Sequence, residues 1–130
     1  MITPAHGAVV VVGAGPAGLA VAYELARRSL PYRVLERGRV GEAWHSHYDR
    51  LSLHTLKQVS ALPGQPMPAN YPRFPSRAQF LAYLQHYAHS FALQVDEGVE
   101  LRHAAFDGQR WRLDTSREQL EASVLVMATG

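Results

Sequence analysis

A chain of 130 residues is one domain's worth of polypeptide, able to bury somewhat under about 70% of the surface its unfolded form exposes. Thirteen lysines and arginines against eleven carboxylates leave a formal charge of +2, and the basic residues are scattered, so neither nucleic-acid binding nor membrane-surface binding draws support. The absence of cysteine excludes intrachain disulfides, a thiolate nucleophile and cysteine-based metal or iron–sulfur sites, and no apolar run approaches the roughly 18 residues of a membrane-spanning helix.

Met1 to Gly7 is a short polar lead-in containing a proline. The apolar stretch that follows has no lysine or arginine before it and is broken by glycines and a proline. A secretory signal is therefore not expected, and a cytoplasmic location is. Val9-Val10-Val11-Val12 is a run of β-branched residues that predicts a short strand buried on both faces. It runs straight into Gly13-Ala14-Gly15-Pro16-Ala17-Gly18, a glycine-spaced turn opening an alanine-rich helix that extends to about Ser29, where Leu30-Pro31 stops it. The spacing is that of a dinucleotide-binding turn. Gly13 permits the sharp reversal, Gly15 leaves the backbone open to a pyrophosphate, and Gly18 lets helix and strand pack closely. The free N–H groups and dipole of the helix start then favour an anion without a basic side chain. Pro16 costs little in the first turn, where an N–H has no intrahelical acceptor.

A second apolar run, Tyr32-Arg33-Val34-Leu35, predicts a strand ending in Glu36. That acid lies about 20 residues beyond the glycines, where a carboxylate accepts hydrogen bonds from ribose hydroxyls. The alternative is a solvated surface carboxylate beside Arg37. From Arg37 to Pro75 neither a period of 2 nor one of 3.6 is sustained, and Pro63, Pro66, Pro68, Pro72 and Pro75 hold the chain extended. Trp44, Tyr48, Leu51, Leu53, Leu56, Leu62, Tyr71 and Phe74 nevertheless give this segment apolar surface with which to pack.

Ser76-Arg77-Ala78-Gln79 is a capping box, and Phe80, Leu84, Tyr87 or Ala88, and Phe91 recur at helical spacing after it. Val99-Glu100-Leu101 and Trp111-Arg112-Leu113, with Asp107-Gly108 between them, predict a small antiparallel meander. Ser123 to Met127 predicts another doubly buried strand, closing in Ala128-Thr129-Gly130. The order implies a Rossmann-like α/β fold, a parallel three-layer sheet with an inserted β element.

Taken together, the glycine turn with Glu36-Arg37, Gly41-Glu42-Ala43-Trp44, Tyr48-Asp49-Arg50-Leu51, Leu53-His54-Thr55, Leu62-Pro63, Tyr71-Pro72, Pro75-Ser76-Arg77 and the closing Ala128-Thr129-Gly130 resemble the N-terminal half of the flavin-containing monooxygenases. The likeness is greatest to bacterial members and the plant branch that makes auxin. It implies that Gly13, Ala14, Gly15, Pro16 and Ala17 line an FAD pyrophosphate and that Glu36, with Arg37 beside it, holds the adenosine ribose. It puts Trp44 near the isoalloxazine, the alternative being a core tryptophan under the long loop. His54 stands where animal members carry an asparagine close to flavin and nicotinamide, and a plain structural role is the other reading. Leu101 would meet the adenine through its backbone, and Ala128, Thr129 and Gly130 would pass the cofactor.

Related groups depart from this chain. Disulfide reductases that share the turn carry a cysteine pair after their second strand, and amine oxidases continue with Gly-Gly-Arg, where this chain has Gly41-Glu42-Ala43-Trp44. His45 and His47 form a His-x-His with no third ligand evident, so no metal site is expected.

In the family, NAD(P)H reduces FAD, a C4a-hydroperoxyflavin forms with dioxygen, and one oxygen atom passes to a small-molecule substrate. The second glycine-rich site for NADPH and the strands that finish the FAD site are not found here. The expectation is an N-terminal piece, residues 1–130, of an FAD/NAD(P)-binding Rossmann domain, not competent alone. Two alternatives stay open: a non-catalytic FAD- or ADP-nucleotide-binding module, and an NAD-binding dehydrogenase domain.

Overall fold

The computed structural model describes residues 2–4, 9–45 and 51–130. Most of the lead-in, the His45 side chain, His47 and Tyr48-Asp49-Arg50 lie outside the described residues. The elements are β1 (Ile2–Pro4), β2 (Val9–Val12), α1 (Pro16–Arg27), β3 (Tyr32–Glu36), α2 (Glu42–His45), α3 (Lys57–Ser60), α4 (Arg77–Ser90), β4 (Val95–Glu97), β5 (Leu101–Phe106), β6 (Trp111–Thr115), β7 (Gln119–Ala122) and β8 (Val124–Met127). Among the described residues no helix is long and apolar enough to cross a membrane.

A parallel sheet in the order β4-β3-β2-β8 forms the middle layer. Its centre is β2, whose Val10 and Val11 are fully buried. The alternation of side chains along a strand divides the core. Val11 and Val34 face the helices, packing with Leu19, Ala22, Phe80, Tyr83, Leu84 and Tyr87. Val10, Val12 and Leu35 face the other way, against Val99, Leu113, Leu120 and Ala122. Among the described residues helices therefore cover one face only; the third layer is the second sheet, β1-β7-β6-β5, with the meander β5-β6-β7 as its body. Each large aliphatic side chain buried in these two cores contributes about 1.5–3 kcal/mol.

The capping box at α4 forms as expected: the Gln79 N–H donates to Ser76 Oγ at 3.1 Å and the Ser76 N–H to Gln79 Oε1 at 2.9 Å. α1 stops at Arg27, two residues before Ser29, whose φ of 55° turns the chain toward Leu30. Arg33 ties the layers, its Nη2 lying 2.7 Å from Asp96 on β4 and 3.1 Å from Glu118 at the β6–β7 turn.

The long segment is held by tyrosines of α4. Tyr83 Oη accepts from the Leu62 N–H at 2.8 Å and donates to the Gln65 carbonyl at 2.6 Å, while Tyr87 Oη donates to the Pro63 carbonyl at 2.5 Å. Leu53, Leu62 and Tyr71 pack on the helix-side core, whereas Leu56 and Phe74 remain exposed. Rings continue across this layer, Tyr87 to Tyr83 to Phe80 to Trp44, with neighbouring centroids 4.7–6.2 Å apart. In the other sheet Trp111 packs on Phe106 at 5.4 Å.

Burial raises both phenols, and neighbouring Tyr83, Tyr23 and Glu24 raise Tyr87 further. The folded state thus favours their protonated forms. Stability is expected to be fully present below the unfolded tyrosine value of about 10 and to fall as pH rises above it. Urea midpoints measured between neutral and strongly alkaline pH should show this fall, and Tyr83→Phe with Tyr87→Phe should flatten it.

Three expectations need correction. The last strand is not doubly buried: β8 pairs only with β2 among the described residues, leaving Val124 49% and Met127 58% exposed at the sheet edge. Val99 lies before the meander, whose first strand starts at Leu101, and β7 adds a strand not anticipated. β4 was also unforeseen; it pairs parallel to β3, with Glu36 opposite Glu97.

Candidate functional site

The site is built where β2 ends. The Gly13 N–H donates to the Leu35 carbonyl at 2.8 Å, and the Ala128 N–H donates to the Val12 carbonyl at 2.8 Å. Gly13 has a φ of 109°, open to glycine and strained for other residues, and a Cβ there would collide with the Ala128 carbonyl. A Cβ at Gly18 would strike the Gly13 carbonyl oxygen. Turn, helix and closing strand thus meet backbone to backbone. Gly15 is different: a Cβ on it would meet no atom within 4 Å. The space beside Gly15 is open and reaches bare main chain, the surface a pyrophosphate requires.

Gly15 also caps α1, with φ −84° and ψ −167° and no side chain supplying an acceptor, and no acid occupies the first turn. Pro16 has no N–H, so Ala17 and Gly18 carry the first amide donors of the helix. The positive end of a 12-residue helix therefore adjoins the open space beside Gly15, without a carboxylate in its own first turn.

Glu36, at the end of β3, is 9% exposed. Its Oε1 accepts from the Ala14 N–H at 2.9 Å and its Oε2 from the Gly38 N–H at 2.7 Å. A solvated surface carboxylate is thereby ruled out. Each oxygen accepts one backbone donor and keeps capacity for another, which suits a pair of neighbouring hydroxyls. Ala14 is gripped from both sides, since its carbonyl accepts from the Gly41 N–H at 3.0 Å.

The fold brings Gly13, Ala14, Gly15, Pro16, Ala17, Glu36 and Ala128 to one end of the parallel sheet, the carboxyl ends of β2, β3 and β8. Ligands of open α/β sheets bind at this end. Thr129 and Gly130 follow Ala128 and are exposed. Arg37 points to solvent. Leu101 is half-buried at the start of β5, two residues after Val99, whose N–H donates to the Glu36 carbonyl at 3.0 Å. Trp44 packs edge-on against Phe80 at 4.7 Å, and its carbonyl accepts from Arg77 Nη1 at 2.9 Å, so it is at least partly a core residue. His54 is exposed on the long segment.

Sequence reasoning passed over Gly38 and Glu97. The first was legible, because a residue two beyond an acid can donate its N–H back to that side chain. The second was not, for its partner is the Val40 N–H, 57 residues away in sequence.

Residues 10–130 match the family described as pyridine nucleotide-disulphide oxidoreductase. The chain is 46% identical over 127 residues to the rice (Oryza sativa subsp. japonica) indole-3-pyruvate monooxygenase YUCCA1, covering 93% of this chain and 31% of that protein. Among solved structures it is similar to a flavin-containing monooxygenase from Stenotrophomonas maltophilia, with a TM-score of 0.86 and 35% identity over 94% of this chain and 38% of that one. It is also similar to an oxidised steroid monooxygenase bound to NADP, with a TM-score of 0.85 and 29% identity over 94% of this chain and 26% of that one. The chain spans about a third or less of the length of the curated relatives it matches.

Proposed function

Because the chain belongs to the pyridine nucleotide-disulphide oxidoreductase family and, within it, to the flavin-containing monooxygenases, we propose that it forms the FAD-binding portion of an NAD(P)H-dependent flavin monooxygenase. In this reading residues 1–130 are the N-terminal part of the FAD/NAD(P)-binding Rossmann domain, and the NAD(P)H-binding domain lies outside them. The observation that carries it is the open main-chain cradle at Gly15 beside the two-handed Glu36 carboxylate. Both fit the adenosine diphosphate half of FAD.

Gly13 to Ala17 approach the pyrophosphate with backbone alone, and the N-terminus of α1 meets its charge. Glu36 accepts the ribose hydroxyls, with Arg37 at the rim. Leu101 offers backbone to the adenine, Trp44 lies near the isoalloxazine and keeps water from it, His54 would hydrogen-bond the flavin, and Ala128 to Gly130 carry the chain past the cofactor. Bound there, the flavin supplies the redox chemistry by which one atom of dioxygen reaches a small-molecule substrate. No cysteine is available for a dithiol relay, so the chain's own part is to hold and orient.

The test is the visible absorbance of the purified chain, followed by release of its nucleotide and chromatographic identification. A yellow protein releasing FAD is expected. A colourless chain that takes up neither FAD nor ADP on addition overturns the assignment.

A further inference from the structure

The loop 37–41 follows the ribose-binding acid, and each N–H from Gly38 to Gly41 has an acceptor. Gly38 donates to Glu36 and Arg39 to the nearby Glu42 at 3.1 Å, and Gly41 donates to the Ala14 carbonyl of the glycine turn. Val40 alone among them is held by a side chain from a distant strand: its N–H donates to Glu97 Oε2 at 2.8 Å. The main chain beside Glu97 grips the same loop, the Gly98 N–H donating to the Gly38 carbonyl at 3.1 Å.

These bonds close a circuit. Glu97 holds Val40, which lies two residues after Gly38 and next to Gly41; Gly41 holds Ala14; and Ala14 and Gly38 hold the two oxygens of Glu36. We infer that Glu97 is a positioning residue for the nucleotide site, its carboxylate clamping the loop 37–41 so that Glu36 is presented to the ribose in one orientation. The inference rests on the nucleotide-binding reading above. Glu97 touches no nucleotide; it acts through Val40. Val40 is only 9% exposed and lines an open cavity together with Glu97, so removing that acceptor leaves its N–H no protein partner and only the water of the cavity.

The requirement is an acceptor at the right reach, not a charge. Glu97→Gln keeps both the reach and an acceptor oxygen. Glu97→Asp keeps the charge but withdraws it by a methylene, and Glu97→Ala removes the acceptor. The full chain and these variants are to be titrated calorimetrically with FAD and with ADP, and the Val40 amide followed by hydrogen exchange.

Affinity is expected to fall about tenfold in the alanine and aspartate variants, with faster Val40 exchange, and to stay within about twofold in the glutamine variant. Should the alanine variant not fold, the glutamine and aspartate pair decides. Wild-type affinity in the aspartate variant, or an equal loss in the glutamine variant, overturns the positioning role while leaving the nucleotide site intact. A wild-type chain that binds neither ligand overturns both.

Discussion

Alanine in place of Gly18 is expected to destabilise the chain by about 3 kcal/mol or more, at or beyond the usual cost of overpacking. The added methyl group would strike the Gly13 carbonyl oxygen, a backbone atom. Gly13 cannot yield, since its own N–H is bonded to Leu35 and it is pressed against Ala128. Helix α1 would have to lift from β2, opening the core around Leu19 and Ala22. The informative partner is Gly15→Ala. That methyl group enters open space and φ is already −84°, so the stability cost should stay under about 1 kcal/mol, the difference between glycine and alanine as a helix cap. FAD affinity should nevertheless fall at least about tenfold, because the methyl group occupies the approach of the pyrophosphate. Urea midpoints and FAD titrations on both variants separate the glycine that builds the turn from the glycine that serves the ligand.

Glu36→Ala should lower FAD and ADP affinity by at least about a hundredfold, as two hydrogen bonds from ribose hydroxyls to a charged acceptor are lost at roughly 1.5–3 kcal/mol each. It should also cost stability without ligand, since the Ala14 and Gly38 amides lose their acceptor. The revealing variant is Glu36→Gln. An amide is nearly the same shape, yet one of its two ends donates, and both carboxylate oxygens here accept from backbone N–H groups. One amide would then face another donor. Glu36→Gln is therefore expected to approach Glu36→Ala in both thermal midpoint and nucleotide affinity. Full retention of binding by the glutamine variant would remove Glu36 from the ribose site.

What could be read from the residues was local. Val9 to Gly18 and the Ser76 capping box carry their structure in a few neighbouring residues, because turn sterics and unsatisfied helix-end donors act over one turn of chain. β4 escaped because it is three residues long and two of them are acids; it is held beside β3 by parallel main-chain pairing and by Asp96 meeting Arg33, a partner 63 positions away. β8 misled for the opposite reason. Val124 to Met127 has the composition of a central strand, but composition does not say which neighbours arrive, and among the described residues only β2 does. The candidate site divides the same way: the glycines and Glu36 stand out by spacing, whereas the Glu97 clamp on Val40 exists only once β4 is seated.

The two tryptophans lie in different layers, Trp44 at the end of the ring series that runs from Tyr87 through Phe80, and Trp111 against Phe106 in the second sheet. This makes the molecule its own pair of optical probes. Light absorbed by Tyr83 and Tyr87 is passed toward the nearby indole of Trp44, so a form carrying phenylalanine at 111 emits a signal belonging to the helix side alone. The reciprocal form, with phenylalanine at 44, reports on the meander. Fluorescence from the two would reveal whether the layers on either face of the parallel sheet melt together or in turn.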